Sequence, residues 1–207
     1  SSEELPMELP IIALRNIAIF PGTLAPILVG RKKSMEVIRQ AEKENKCFGV
    51  VAQREAKVED PTLQDLYPIG TIVEVTQIIE LPTGELSAIL RGRQRFELKE
   101  LTQTDPYLMG HYTTLPEEER GETSDKEYEA LVSLIHDRLI QLLEKLAPGA
   151  PAGFMDTIKG IKNKAYIINL ASSVVDVPIE RRQEFLVADT LNQRGVLVLS
   201  VLHGQIE

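Results

Sequence analysis

The stretch G-T-I-V-E-V-T-Q-I-I-E-L-P-T-G-E-L-S-A-I-L, residues 70–90, decides how this chain folds. Apolar residues recur at every second position of its first half, which predicts a half-buried β-strand. The residues predicted to face inward are Val73, Val75, Ile79 and Leu81. Pro82-Thr83-Gly84 is a turn signal, and the alternation resumes over residues 86–90. The stretch therefore predicts a β-hairpin.

The sequence before and after this hairpin is also punctuated like a β domain. Runs rich in Ile and Val, separated by Pro and Gly, predict strands over residues 9–14, 25–29 and 47–53. Gly92 predicts a bulge, and residues 32–43 are predicted to form a helix. A single helix among at least six strands favours a barrel or sandwich with one inserted helix over alternating βαβ units.

The second half of the chain is predicted to be helical. Ser124 and Glu127 have the spacing of a capping box at the start of a long amphipathic helix. Further helical segments follow, and Asp189 is the predicted cap of the last one. That last helix is apolar and runs to the end of the sequence, so we expect the helical part to be truncated.

These patterns predict an α+β chain with two domains. Residues 9–116 form the β-rich domain, the acidic residues 117–124 a solvated linker, and residues 125–207 the α-helical subdomain. Residues 1–8 are interpreted as a disordered or artificial leader.

Composition excludes several classes of protein. The 207 residues are 43% hydrophobic, which suffices for a core, and the formal net charge of -8 argues against nucleic-acid and membrane surfaces as partners. No apolar run reaches the roughly 18–20 residues that span a bilayer. Cys47 is the single cysteine, which fits a reducing cytoplasm, and it opens an apolar run that predicts a buried strand. We therefore expect a cytoplasmic protein.

A search for catalytic chemistry finds no constellation. The chain has no G-x-S-x-G nucleophile motif, no P-loop and no pair of metal-ligand residues at a known spacing. Its histidines, His111, His136 and His203, share no motif with a nucleophile. We predict no catalytic, cofactor-binding or metal-binding residue in this chain.

Two groups of cations stand out. Arg31-Lys32-Lys33 lies where a strand meets the start of a helix, a place where the helix dipole disfavours positive charge. Arg91, Arg93 and Arg95 would share one strand face if no bulge intervened. Such a stripe would bind phosphates or acidic peptides, or it would be a solvated face paired with Glu74 or Glu80 across the hairpin.

Several segments together resemble the N-terminal domain of the ATP-dependent Lon proteases. The opening L-P-I-I-A-L-R-N (9–16) with F-P-G (20–22) is similar to the start of that domain, although Ala13 stands where the family usually has Pro. The further matching segments are V-G-R-K-K-S (29–34), V-A-Q (51–53), D-L-Y-P-I-G-T (65–71), L-P-T-G (81–84), R-G-R-Q-R-F (91–96) and, more loosely, V-P-I-E-R-R-Q-E (177–184).

This resemblance implies a PUA-like β-barrel followed by a helical bundle. It implies a role in recognising unfolded or damaged polypeptides and delivering them to ATPase and protease modules, with a contribution to assembly of a hexamer. ATP, Mg and the Ser-Lys dyad of the parent endopeptidase would belong to those modules, which this sequence does not contain. The expected partners are protein substrates, the parent's own modules and neighbouring subunits, with no nucleic acid and no membrane.

The candidate polypeptide-binding residues lie around the loop that precedes the predicted helix. They are Phe20, Leu24, Arg31, Lys32 and Lys33. An exposed apolar loop beside cations would suit the apolar segments that unfolded proteins display. The alternatives are a stand-alone adaptor made of this domain only and a PUA-like RNA-binding module that uses the arginine stripe.

Overall fold

The computed structural model describes residues 7–207, which form two compact units on either side of the Pro116–Glu117 bond. The first unit contains β1 (Met7–Leu14), β2 (Leu24–Val29), α1 (Lys32–Glu44), β3 (Phe48–Ala52), a 3₁₀ turn (Leu63–Asp65), β4 (Ile69–Glu80), β5 (Leu86–Gln103) and β6 (Leu108–Leu115). The second contains α2 (Asp125–Leu146), α3 (Phe154–Lys159), α4 (Lys164–Val174), α5 (Ile179–Val187) and α6 (Leu191–Ile206).

The strands of the first unit close into a barrel. The sheet order is β2-β5-β4-β3-β1-β6, and the second half of β5 also pairs with β6, which closes a ring of five strands. β2 lies outside this ring and pairs with the first half of β5. The prediction of an α+β chain, with a β-barrel followed by a helical bundle, is confirmed.

The predicted leader, residues 1–8, extends two residues too far, because β1 begins at Met7. Met7 and Glu8 belong to β1, where they pair with Tyr112 and His111 of β6. Pairing with β6 therefore places both residues in the sheet and not in a disordered leader. The other leader residues, 1–6, lie outside the described part of the chain.

Helix α1 packs one apolar face on the barrel. Val37, Ile38 and Ala41 are buried in the same apolar cluster as residues of β1, β2, β4 and β5. The helix ends at Asn45, which adopts a left-handed conformation. β3 then begins only at Phe48, so Cys47 lies in the connection and is exposed, and the prediction of a buried Cys47 was wrong.

A bulge in β4 changes which residues face the core. Val75 pairs with Leu90 and Gln77 with Ile89, so Thr76 is an extra residue in the ladder. Because one inserted residue reverses the alternation, Ile78 packs on the core cluster and Ile79 is 51% exposed. The prediction that Ile79 faces inward was therefore wrong, whereas the hairpin itself is confirmed.

The second unit buries the apolar faces of α2, α4 and α6 against one another. Its most buried side chains include Ile135, Leu139, Ile168, Val198 and Leu202. Among residues 7–207 no helix combines the length and the apolar character that crossing a membrane requires.

Two helix caps can be compared with the predictions. Ser124 Oγ accepts a hydrogen bond from Glu127 N at 3.2 Å, which is one of the two bonds of the predicted box. Thr190, and not Asp189, caps α6: its hydroxyl accepts from Gln193 N at 3.1 Å, and Gln193 Oε1 accepts from Thr190 N at 3.3 Å. A capping box needs Glu or Gln three residues after the capping residue. Gln193 stands at that position relative to Thr190.

The segment interpreted as a solvated linker is bonded to the second unit. The carbonyl oxygens of Glu118 and Glu119 accept from Leu191 N and Asn192 N, both at 2.8 Å. These are free donors of the first turn of α6, so the segment acts as a cap for the helix. Residues 117–124 are therefore part of the helical unit and not a connector outside it.

Candidate functional site

The structure separates the two apolar residues of the predicted binding loop. Leu24 is 56% exposed at the start of β2, whereas Phe20 is completely buried. Two hydrogen bonds within the loop stabilise its conformation: Phe20 O accepts from Thr23 N at 3.2 Å and from Thr23 Oγ1 at 2.8 Å. The prediction that Phe20 contacts a polypeptide was wrong, because the residue has no exposed surface to offer.

Gly92 of β5 fixes the position of this loop. Its carbonyl accepts from Gly22 N and its N–H donates to Thr23 O, each at 2.9 Å. A Cβ atom at Gly92 would lie 2.3 Å from Phe20 O, so the two backbones approach closer than any other residue allows. The loop is therefore attached to β5 by two backbone hydrogen bonds and one close backbone contact.

An exposed apolar patch lies on the outer face of β2 and β4. It consists of Leu24, Leu28 and Ile79, and we call it the Leu28 patch. The sheet register places Leu28 and Ile79 on either side of Ser87 in β5, in one row across the three strands. Leu28 and Ile79 are 61% and 51% exposed, so more than half of each apolar side chain contacts water.

Arg31 occupies the N-cap position of α1 and makes contacts away from the helix. Its guanidinium donates to Gln53 Oε1 and, at 3.2 Å, to Glu59 O. Burial, followed by repulsion from Arg15, lowers the pKa of Arg31 from its usual value, while Asp60 and Glu59 act in the opposite direction. Arg31 is thus a half-buried cation that organises the loop after β3.

The two lysines of the cluster have different roles. Lys33 Nζ lies 3.2 Å from Asp60 Oδ1 and 3.4 Å from Asp105 Oδ1. The hydrogen bond to Asp60, and to a smaller extent the one to Asp105, raises the pKa of Lys33. Lys32 is exposed, and the part of the chain that the structure describes offers it no ion-pair partner.

Two clefts meet at the N-terminal end of α1. One, of about 460 Å³, has Ile11, Ala13, Pro61 and Leu108 among its apolar lining residues, and we call it the Pro61 cleft. The other, of about 330 Å³, runs along β2 and includes Leu28, so we call it the Leu28 cleft. Both are lined by Ala13, Arg15, Arg31 and Ser34. Leu28 belongs both to the Leu28 patch and to the Leu28 cleft. The structure therefore places the cations of the cleft, Arg15 and Arg31, next to the patch.

Sequence reasoning missed three residues of this site. Gln53 is buried, and its Nε2 donates to Glu55 O at 3.0 Å and to Val58 O at 2.8 Å, so it shapes the loop that Arg31 contacts. A polar residue that directly follows a buried apolar strand was the available signal for Gln53. Arg15 and Ser34 lie in quoted segments, but only the fold shows that both line the clefts.

The arginine stripe is not assembled as a continuous row. Gly92 pairs with Val73 and Gln94 with Ile72, so Arg93 is an extra residue in a second bulge. Arg91 and Arg93 are exposed, and both lie within 4 Å of Glu74, at 3.8 Å and 3.4 Å. Arg95 is buried and donates to Pro116 O at 2.8 Å. The pairing with Glu74 is the arrangement of a solvated sheet face.

Almost the whole chain, including this site, matches one protein family. Residues 8–204 match the family of the ATP-dependent protease La (Lon) substrate-binding domain. The chain belongs to this family. The resemblance inferred from the sequence motifs is thereby confirmed.

Curated relatives and solved structures agree with this assignment. The Lon protease of Porphyromonas gingivalis is 40% identical over 200 residues and that of Parabacteroides distasonis 39% over 199 residues, covering 97% and 96% of this chain. The chain spans about a quarter of the length of these relatives, 24% in each case.

The N-terminal domain of the Mycobacterium avium complex Lon protease has the same fold, with a TM-score of 0.71 at 15% identity over 95% of this chain and 98% of that one. The Lon N-terminal domain protein from Xanthomonas campestris has a TM-score of 0.65 at 17% identity over 94% of this chain and 98% of its own.

Proposed function

We propose that this Lon-family domain binds unfolded or damaged polypeptides at the Leu28 patch and the adjoining clefts. In this proposal the domain delivers them to the ATPase and protease modules of a full-length Lon protease and contributes to assembly of its oligomer. ATP, Mg and the serine-protease dyad are expected to reside in those other modules, and the expected location is the cytoplasm.

The observation that carries this proposal is the exposed Leu28 patch beside a cationic cleft. Unfolded proteins differ from folded ones by the apolar side chains they expose, and a contiguous exposed apolar patch is a common mark of a protein-binding surface. Leu28 and Ile79 are more than half exposed, so an apolar segment that covered them would remove apolar surface from water. The adjoining Arg15 and Lys32 supply polar contacts at the edge of such a segment.

The rigidity of the strands under the patch supports the same proposal. β5 pairs with β2 on one side and β4 on the other over the whole patch, so the apolar side chains are held at a fixed spacing. A preorganised surface loses less conformational entropy on binding than a flexible loop does. The RNA-binding alternative has less support, since it relied on a stripe that the Arg93 bulge interrupts.

Replacing Leu24 and Leu28 together by threonine tests the proposal. Threonine keeps the preference for a strand but removes most of the apolar surface of the patch. We expect the affinity for a permanently unfolded protein to fall about tenfold or more, since each 1.4 kcal/mol of lost apolar contact is a factor of ten. The measurement is a fluorescence-anisotropy titration with the labelled unfolded protein.

The matched control is Leu146→Thr, because Leu146 is 59% exposed but lies at the end of α2. It should leave the affinity unchanged. Equal affinities for the double variant and the unsubstituted chain would exclude the patch as the binding surface.

A further inference from the structure

Strand β2 lies at an open edge of the sheet. It pairs with β5 from Leu24↔Arg91 to Val29↔Leu86 without a register shift, and the sheet order places it at one end. Its other edge faces no strand of the described chain, residues 7–207. An open edge of this kind presents backbone donors and acceptors with which a further extended chain can pair.

The direction of the backbone groups along β2 follows from Thr23. Thr23 O accepts from Gly92 N at 2.9 Å, so the carbonyl of Thr23 turns toward β5. In an antiparallel pair every second residue exchanges such bonds with the neighbouring strand. Residues 25, 27 and 29 therefore turn toward β5, and residues 24, 26 and 28 turn toward the open edge. Proline at position 26 fits this assignment, because it has no N–H to donate to β5.

The open edge offers both donors and acceptors. Leu24 and Leu28 each present an N–H and a carbonyl there, and Pro26 presents a carbonyl. No backbone hydrogen bond from another element of residues 7–207 reaches these groups. The Leu28 cleft, of about 330 Å³, runs along the same strand, so there is space for a further chain beside it.

The same three residues carry the exposed side chains of β2. Leu24, Pro26 and Leu28 are exposed, whereas Ile27 and Val29 are buried. In an added strand, every second side chain would therefore lie on the outer face and extend the Leu28 patch. Pairing through the backbone accepts many sequences, as a site for unfolded proteins requires.

The charges beside the open edge favour an acidic residue in the added strand. Arg15 and Arg31 line the Leu28 cleft, and Glu85 is its one acidic lining residue. Within the described residues Arg15 has no ion-pair partner. An acidic side chain at the end of β2 that carries Leu28 would compensate its charge.

Pro26 argues against a second copy of this chain as the occupant. Two β2 edges that paired antiparallel around their centres would bring both prolines into the new ladder, where each lacks a donor. A polypeptide without proline in the paired segment offers an N–H at every position. The edge therefore fits a different chain better than its own copy.

We propose that an unfolded polypeptide binds this domain as an added antiparallel strand along the open edge of β2, with an acidic residue beside Arg15. Its amides donate to the carbonyls of Leu24, Pro26 and Leu28, and its carbonyls accept from the N–H groups of the two leucines. Its outward apolar side chains pack beside the Leu28 patch. The proposal rests on the proposed function and specifies the form of polypeptide that the site takes, an extended apolar segment that follows an acidic residue.

Three peptides labelled at the C-terminus test the pairing. Each begins with two glutamates, which set its direction at Arg15, and continues with alternating valine and serine. The first is unmodified, the second is N-methylated at the valines and the third at the serines. Paired residues of antiparallel strands carry their side chains on the same face, so the valines beside the patch are the residues whose amides face β2.

We expect methylation of the valines to weaken binding about tenfold or more, because several backbone hydrogen bonds are lost together. Methylation of the serines, whose amides face away from β2, should leave the affinity unchanged. Lysine in place of the glutamates should weaken binding several-fold at low salt. Equal affinities of the two methylated peptides would overturn strand addition, and equal binding of the lysine peptide would overturn the contact with Arg15.

Pro26→Val tests the same edge from the side of the protein. Valine keeps an apolar side chain suited to a strand and adds one N–H at the centre of the open edge. The unmodified peptide should bind several-fold more tightly, and an unchanged affinity would overturn the proposal. The matched control is Pro148→Val, at an exposed proline of the helical unit, which should leave the affinity unchanged.

Hydrogen exchange at single amides gives an independent readout. With saturating unmodified peptide, the amides of Leu24 and Leu28 should exchange at least tenfold more slowly, while that of Ile27, which faces β5, should not change. Unchanged exchange of both leucine amides would overturn the proposal. Slower exchange that appears without peptide, as the protein concentration rises, would identify a second copy as the occupant and overturn it as well.

These outcomes separate strand addition from the proposed function. If the three glutamate peptides bind equally and replacing Leu24 and Leu28 by threonine weakens all of them, the proposed function stands and strand addition is wrong. If neither the peptides nor a permanently unfolded protein bind, both are wrong.

Discussion

At the residue scale, the most constrained side chain of the helical unit is Arg194. It is completely buried, and Nη1 donates to Glu117 Oε1 at 2.9 Å and to Asn169 Oδ1 at 2.5 Å. Its Nε donates to Phe185 O at 2.9 Å. Three segments of the unit therefore meet on one guanidinium. A buried charge is tolerated only when its donors are satisfied in this way.

Replacing Arg194 by methionine should destabilise the helical unit strongly. The change leaves the Glu117 carboxylate and the Asn169 amide without their partner, and breaking a buried pair costs about 3–5 kcal/mol. The measurement is urea unfolding followed by far-ultraviolet circular dichroism. The pair Arg194→Met with Glu117→Gln should recover part of the loss, because no buried charge then remains unpaired.

The matched control is Arg120→Met, which removes an exposed pair with Asp125 at 2.8 Å. Such surface pairs contribute about 0–1 kcal/mol. If Arg194→Met were no more destabilising than Arg120→Met, the guanidinium would not be what joins these segments.

Single residues were the part that the sequence predicted least well. Arg194 lies in the apolar helix α6, and its burial depends on Glu117, which lies 77 positions earlier. Phe20 seemed suited to an exposed binding loop for a similar reason. Its loop is held against β5 by the backbone contact between Phe20 and Gly92. Neither long-range contact leaves a local pattern.

At the scale of elements, the sequence predicted far more. The β4–β5 hairpin, the inserted helix and the long helix α2 all occur where periodicity and turn residues placed them. An error arose at the bulge in β4, where Thr76 adds one residue to the ladder and Ile79 is exposed. The bulge predicted at Gly92 is confirmed: Arg93 is its extra residue, and Arg95 lies in the interior. Alternation alone does not reveal an inserted residue, because a residue counts as inserted only relative to the partner strand, whose register the sequence does not give.

Gly92→Ala tests how far the second bulge and the close approach at Phe20 determine the barrel. The new Cβ would lie 2.3 Å from Phe20 O, so one backbone must move. We expect a loss of about 1–3 kcal/mol, as is typical of overpacking, and a Tm lower by several degrees in thermal unfolding. Gly30→Ala is the control, since there the nearest atom belongs to the flexible side chain of Glu85. Equal stability of the two variants would contradict this role for Gly92.

At the scale of the whole molecule, the family assignment and the exposed Leu28 patch both support the proposed binding of polypeptides. The chain belongs to the Lon substrate-binding domain family, and its barrel exposes a fixed apolar patch beside a cationic cleft. The motifs in the sequence sufficed for the family and its fold. The site required the structure, because the patch combines Leu28 of β2 with Ile79 of β4, which lie 51 positions apart and meet only across β5.

The measurement that tests the central claim most directly is an anisotropy titration with one protein in two states. The labelled protein is prepared in a permanently unfolded form and in its native form, and each is titrated at low and at physiological salt. The account predicts binding of the unfolded form alone, and binding that persists in salt, because apolar contacts are not screened as ion pairs are. Equal binding of both forms, or binding that salt abolishes and single-stranded RNA displaces, would contradict it.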